Sequence, residues 1–302
     1  MEDMITGLCP QCGHTLHIPA ELESFSCMYC GARLTKEQLA AEPPAAQEAD
    51  EDRAAYYDRA VSRLGWCIKN FGGYQKKIMR DVFFEAFETY ETGCAPVIQE
   101  LARGVAPEQQ TQLLGRAAAA MLDELEAGWQ KKGDMEDEKI VLAIFFVPMV
   151  RKQQLPISEE FVTILQKQWV ERYPKSPFYL GDYESISGGF RKKFLGLCFI
   201  TTAVCQELGK PDDCEELTAF RAFRDGYLRS QPDGEALIRE YYNIAPGIVT
   251  CINTCSDRHA SYARIREEYL APCYQDLLAG RNESCKARYV RMVRDLEREY
   301  LS

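Results

Sequence analysis

The first thirty residues constrain the fold more than any other stretch. Residues 9–30 read CPQCGHTLHIPAELESFSCMYC, two Cys-x2-Cys pairs separated by fourteen residues. Each pair forms a tight turn that aims two thiolates at one point, and two such turns complete a tetrahedron around a single ion. Cys9, Cys12, Cys27 and Cys30 are therefore the expected ligands of one structural Zn2+. Gly13 and Gly31 follow the second cysteine of each turn, where positive backbone angles are commonly needed. A pair of redox dithiols is the alternative, and the mirrored Cys-x2-Cys-Gly pattern speaks against it. His14 and His17 lie inside the pattern. Four cysteines already satisfy zinc, so both histidines are expected at surface or strand positions.

The segments LHIP and SFSC between the cysteine pairs are short enough for paired strands. With the two cysteine turns they resemble a zinc ribbon over residues 7–34, and the ribbon domain is placed at 1–36. Such a module touches nucleic acid, protein or nothing. Residues 1–50 carry eight acids against two bases, which favours protein contact or a purely structural role. The whole chain has a formal net charge of −10, which argues against tight nonspecific binding to nucleic acid or an anionic membrane. Residues 37–50, EQLAAEPPAAQEAD, offer nothing to bury and read as an acidic Pro/Ala linker.

The remaining 250-odd residues carry helical periodicity, and the fold class expected is mainly all-α, a helical bundle with the ribbon's short strands at its N-terminal end. A helical domain is set at 51–180. In it, Gly72-Gly73 breaks the pattern, Pro107 starts a helix, and Asp134 and Ser158 cap two more. The longest apolar run, Ile140–Val150, has eleven residues including Pro148. A bilayer span needs about 20, so the run reads as a buried helix and no membrane contact is expected. The opening MEDMITGLCP lacks the apolar stretch of a secretory leader, and an odd count of thirteen cysteines fits a reducing cytoplasm. Residues 174–190, PKSPFYLGDYESISGGF, read as an ordered loop or junction, with Gly188-Gly189 allowing a sharp approach to the next segment.

The last domain is set at 181–302. Its most idiosyncratic part is Cys198–Leu228, CFITTAVCQELGKPDDCEELTAFRAFRDGYL. An apolar helix ends at Gly209-Lys210-Pro211, Asp212 is positioned to cap the next, and Leu217, Phe220, Phe223, Tyr227 and Leu228 form that helix's apolar stripe. Arg221 and Asp225, four apart, are spaced to pair. Pro232 starts a further helix, Pro246 interrupts, Ser256 or Asp257 caps another that Pro272 bends, and Asn282 caps the last. Arg288, Arg291, Arg294 and Arg298 share a face of the last helix with acids close by, the pattern of a solvated, salt-bridged surface.

The motifs CFITTAVC, PDDC, FRAFRDGYL and EYYNIAP resemble the CFI-box C-terminal domain of bacterial proteins over about residues 196–255. Thr201 stands where other members carry Ala, and Val204-Cys205-Gln206 departs from their Ala-Tyr-Gly. The resemblance implies a C-terminal module joined to varied N-terminal parts and brings no established activity.

The C-terminal cysteines admit three readings. Cys198 can be a nucleophile at a helix N-terminus, with His259 as its base and Arg221 and Arg224 binding an anionic substrate. Cys251 and Cys255 can share a second ion completed by Cys214, Cys273 or Cys285. Cys198 and Cys205 cannot both join one ion, being about 10 Å apart along a helix axis. Otherwise these thiols are small buried hydrophobes, as the stripe Cys285, Tyr289, Met292, Leu296, Tyr300 suggests. No complete catalytic constellation is present. The leading expectation is a zinc-binding cytoplasmic adaptor or regulatory protein that engages a protein partner. A thiol-dependent enzyme using Cys198 is the alternative, and nucleic-acid binding through the ribbon and last helix a third.

Overall fold

The computed structural model describes residues 4–11, 15–39, 50–191 and 198–302. Cys12, Gly13 and His14 and most of the 37–50 linker lie outside these. The chain divides into two compact units at Ala54/Ala55. The fold is mainly all-α, with two small antiparallel two-stranded sheets near the N-terminus.

The first unit is built from two hairpins. Strand β1 (Met4–Leu8) pairs with β2 (Thr15–Pro19), and β3 (Ser24–Ser26) pairs with β4 (Arg33–Thr35). The LHIP and SFS segments thus form strands, each paired with a strand on the far side of its own cysteine turn and not with the other. Cys9, Leu16, Cys27 and Leu34 make a miniature core with Phe25, Ala32 and Leu39 packed around it.

The second unit is helical. Its first half holds most of α1 (Asp50–Leu64), whose first residues precede the division, and α2 (Trp66–Lys69), α3 (Phe83–Gly104), α4 (Gln110–Gly128), α5 (Lys132–Val141), α6 (Val147–Lys152) and α7 (Ser158–Arg172). Its second half holds α8 (Tyr183–Arg191), α9 (Phe199–Glu207), α10 (Glu215–Ala222), α11 (Gly234–Cys255), α12 (Arg258–Ile265), α13 (Ala271–Leu278) and α14 (Asn282–Tyr300). One continuous core runs from Tyr57 to Leu301. The sequence boundary at 180 falls inside this unit, between α7 and α8. No helix among the described residues is long and apolar enough to cross a membrane.

The IVLAIFFVPMV run is wholly buried, as its composition demands. Leu142–Phe146 widens into a π turn just before Pro148, and Arg266–Leu270 does so before Pro272. A proline lacks the N–H and crowds the carbonyl four residues back, and one extra residue in the turn relieves both problems. Phe145 meets Tyr90 at 5.6 Å between ring centroids, and Phe83 stacks on Phe190 at 4.3 Å.

Several helix limits differ from the sequence reading. Residues 183–191 are helical, Gly188-Gly189 included: Asp182 caps them, its Oδ1 accepting from Ser185 N at 2.8 Å and its Oδ2 from Ser185 Oγ at 2.8 Å. Pro246 does not interrupt α11, which runs through it. Three residues before the proline, the Asn243 carbonyl accepts from Arg80 N at 3.0 Å. Ser158 does not cap α7; its hydroxyl donates to the Val150 carbonyl at 2.8 Å and accepts from Leu155 N at 3.1 Å. Asp212 does not cap α10 but holds Arg221, and neither does Asn282 supply a side-chain cap to α14. Asp257 does cap as expected, accepting from Ala260 N at 3.1 Å; Asp134 is not the cap residue of α5 but its third residue, and its Oδ2 reaches back to accept from Gln130 N at 2.9 Å and Lys131 N at 3.1 Å.

Candidate functional sites: the cysteine cluster and the Cys198 cleft

Cys9 follows β1 directly and Cys27 follows β3, so each cysteine turn sits at the end of a hairpin. In the second turn Gly31 N–H donates to the Cys27 carbonyl and Cys27 N–H to the Ala32 carbonyl, both at 2.8 Å. Gly31 there has φ of +74°, a value a side chain would resist. These bonds bring Cys30 back beside Cys27. The sulfurs of Cys9, Cys27 and Cys30 lie within 4.8 Å of one another, the only such group of potential ligands among the described residues. Cys9 and Cys30 sulfurs are 3.8 Å apart. Two thiolates at about 2.3 Å from a tetrahedral zinc are themselves about 3.8 Å apart, so this edge already has the dimensions of a zinc site. Three of the four expected ligands therefore stand close enough to hold a metal ion; Cys12 lies outside the described residues. His17 sits exposed on β2, as a strand residue and not in the ligand group.

The second site lies in the helical unit. Cys198 is the residue before the first turn of α9 and is buried. Its sulfur stands 3.5 Å from Arg224 Nη1. Arg224 belongs to a π turn, Phe223–Leu228, that continues α10. Its side chain is 7% exposed, and its Nε and Nη2 donate to both oxygens of Asp225 at 2.8 and 2.6 Å. Behind them, Ile200 N–H donates to the Tyr241 hydroxyl at 3.0 Å, and the Tyr289 hydroxyl meets Thr201 Oγ1 at 3.3 Å. An apolar cleft opens over Cys198 and Arg224. Its cavity volume is about 50 Å³. Residues from CFITTAVC, FRAFRDGYL and EYYN meet here, and α14 closes the wall.

The nucleophile reading needs correction. His259 is 80% exposed on α12 and its Nδ1 pairs with Glu207, at the far end of α9. Nine residues of helix put that end about 14 Å from Cys198. The thiol also lacks activation: burial pushes its pKa up, and the opposing charges of Arg224 and Arg221 do not reverse that. Arg221 itself pairs with Asp212 at 2.8 Å rather than with Asp225.

The second-metal reading fares no better among the described residues. Cys251 and Cys255 are buried on α11, and Cys251 Sγ faces the Tyr300 carbonyl at 3.7 Å. Burial pushes the Cys255 thiol up to about 12. Cys273 points at the Cys285 carbonyl, 3.9 Å away, inside the stripe with Met292, Leu296 and Tyr300. These thiols pack as small hydrophobes. On the last helix Arg294 pairs with Glu240 and Glu297, Arg298 with Asp295, and Arg288 with Asp276, the salt-bridged face the sequence suggests.

What the sequence reading missed is the burial of a charge. Arg224 lies four residues after Phe220 and four before Leu228, inside the apolar stripe, and that position was the available signal. Lys139 is likewise buried, its Nζ 2.5 Å from Glu136 and 2.7 Å from Ser176 Oγ. No protein family, curated protein or solved structure matches the chain.

Proposed function

We propose that this chain is a zinc-binding adaptor of the cytoplasm. Cys9, Cys12, Cys27 and Cys30 hold one structural zinc, and the folded ribbon presents its second turn to a protein partner. The observation that carries the reading is the cysteine cluster, with its 3.8 Å sulfur–sulfur edge. Between Cys27 and Cys30 stand Met28, 81% exposed, and Tyr29, 59% exposed. A short turn that carries two large apolar side chains outward, pinned by a metal beneath, suits contact with another protein, where Met and Tyr are enriched. The helical unit is the CFI-box module of this reading, on the strength of its motifs alone. The net charge of −10 disfavours nucleic acid as the partner. Zinc content and partner capture test the two halves separately. Met28→Glu should keep one zinc per chain and lose the partner from an in-cell crosslink, whereas Cys27→Ser should lose both. A Met28→Glu chain that keeps every crosslink overturns the adaptor reading.

A further inference from the structure

We propose that Cys205 and Cys214 form a reversible disulfide, a site of oxidation by peroxide in the loop between α9 and α10. The inference stands apart from the zinc-binding reading and does not depend on it.

The backbone of the loop brings the two residues together. Cys205 lies in the last turn of α9, and its carbonyl accepts from Lys210 N at 2.9 Å. Gly209 turns the chain there with φ of +67°, a conformation that glycine adopts readily. The Pro211 carbonyl then accepts from Cys214 N at 3.1 Å, which sets Cys214 directly before α10. These turns fold the loop back on itself, and α10 packs against α9. The two thiols stand in hydrogen-bonding contact. Thiols in contact need only side-chain rotation to reach the S–S length of about 2.05 Å.

Exposure selects this pair over its like. Among the described residues of the helical unit, Cys67 also meets Cys94, and Cys273 meets Cys285. All four of those thiols are fully buried, out of an oxidant's reach. Cys205 is buried too, but Cys214 is only half-buried. An oxidant therefore meets Cys214 with Cys205 directly behind it. The two thiols also differ in acidity. Burial first, then the neighbouring Cys214 and Glu216, pushes the Cys205 thiol up to about 12. Cys214 is accordingly the attacking sulfur and Cys205 the resolving one.

The chemistry balances with one hydrogen peroxide. The Cys214 thiolate attacks one peroxide oxygen: the S–O bond forms and the O–O bond breaks. The departing hydroxide takes up the proton that the thiol gave up and leaves as water. Cys205 Sγ then attacks the sulfur of the Cys214 sulfenic acid. The S–S bond forms, the S–O bond breaks, and the hydroxyl leaves with the Cys205 proton as a second water. The two thiols give two electrons and the peroxide accepts both. A small dithiol returns them by exchange.

Peroxide treatment of the full chain tests the assignment, with free thiols then blocked by N-ethylmaleimide and the chain digested without reductant. Cleavage after Glu207 separates Cys205 from Cys214, so the crosslink is read as two joined peptides. Cys205–Cys214 should be the first disulfide to form in the helical unit, and dithiothreitol should remove it. Cys205→Ala should abolish the crosslink and leave a Cys214 sulfenic acid that dimedone labels. In Cys214→Ala, Cys205 should stay reduced. The proposal is overturned if another pair in the helical unit crosslinks first, if the unaltered chain accumulates dimedone-labelled Cys214 without the crosslink, or if both thiols survive peroxide unoxidised.

Discussion

Arg224 and Cys198 show how burial decides what a side chain can do. A thiol beside a guanidinium and before a helix has two influences favouring the thiolate, yet desolvation outweighs them and its pKa is raised. The thiolate that a nucleophile needs is therefore disfavoured relative to an exposed thiol. Iodoacetamide mapping of the native chain at neutral pH should leave Cys198, Cys251 and Cys273 unmodified and label half-buried Cys214 first among the cysteines of the helical unit; fast labelling of Cys198 would restore the nucleophile reading. Sequence alone could place Cys198 at a helix start, because the apolar run and the Gly209-Lys210-Pro211 stop are local signals. It could not weigh the burial, which comes from α11 and α14, some forty to ninety residues away. Asp182 is the complementary case. Its carboxylate accepts two bonds from Ser185, which lowers its pKa below the usual value. A depressed pKa means the cap stabilises fully above about pH 4 and loses its effect as pH falls through the lowered value. Asp182→Ala should cost about 1 kcal/mol at pH 7, a difference that denaturant titration should find shrinking at acid pH.

At the scale of elements, the helices with strong periodicity and polar starts appear where the sequence places them. The errors fall at helix caps, where Ser158, Asp212 and Asn282 do not cap, and at prolines and glycines. Pro246 reads as a breaker, but α11 runs through it; three residues earlier Arg80 N and Asp81 N donate to the Asn243 carbonyl and Oδ1 at 3.0 and 3.1 Å. Gly188-Gly189 reads as a joint, but the Asp182 cap and buried Ile186 and Phe190 hold it helical. Asp182-x-x-Ser185 is a legible cap signal that the sequence reading does not use. Gly247, next to Pro246, has a reason that only packing reveals: a Cβ there would stand 1.9 Å from the Ile78 carbonyl. Gly247→Ala should destabilise the helical unit by about 1–3 kcal/mol, because backbone and not a flexible side chain must move. Thermal melting should show a lowered midpoint; an unchanged one would mean that α11 does not approach Ile78 so closely.

For the whole molecule, the ribbon and the helical unit have separate cores, so their stabilities should separate as well. Among the described residues the ribbon's packed cluster has four buried residues, two of them cysteines, too little to hold a fold of this size without the metal. Chelation should therefore unfold the ribbon while the far-ultraviolet helical signal and the melt of the helical unit stay unchanged. The four-cysteine spacing made this unit legible from sequence because metal geometry is local and strict. The helical unit offered periodicity and capping, which specify helices but not which faces meet, so the cleft over Arg224 could not be foreseen. Native mass spectrometry of the chain purified with zinc present tests the central claim most directly. The account predicts one zinc per chain, removed by a chelator and absent from a Cys27→Ser, Cys30→Ser double variant. A chain that carries no metal, or a double variant that keeps it, would contradict the account.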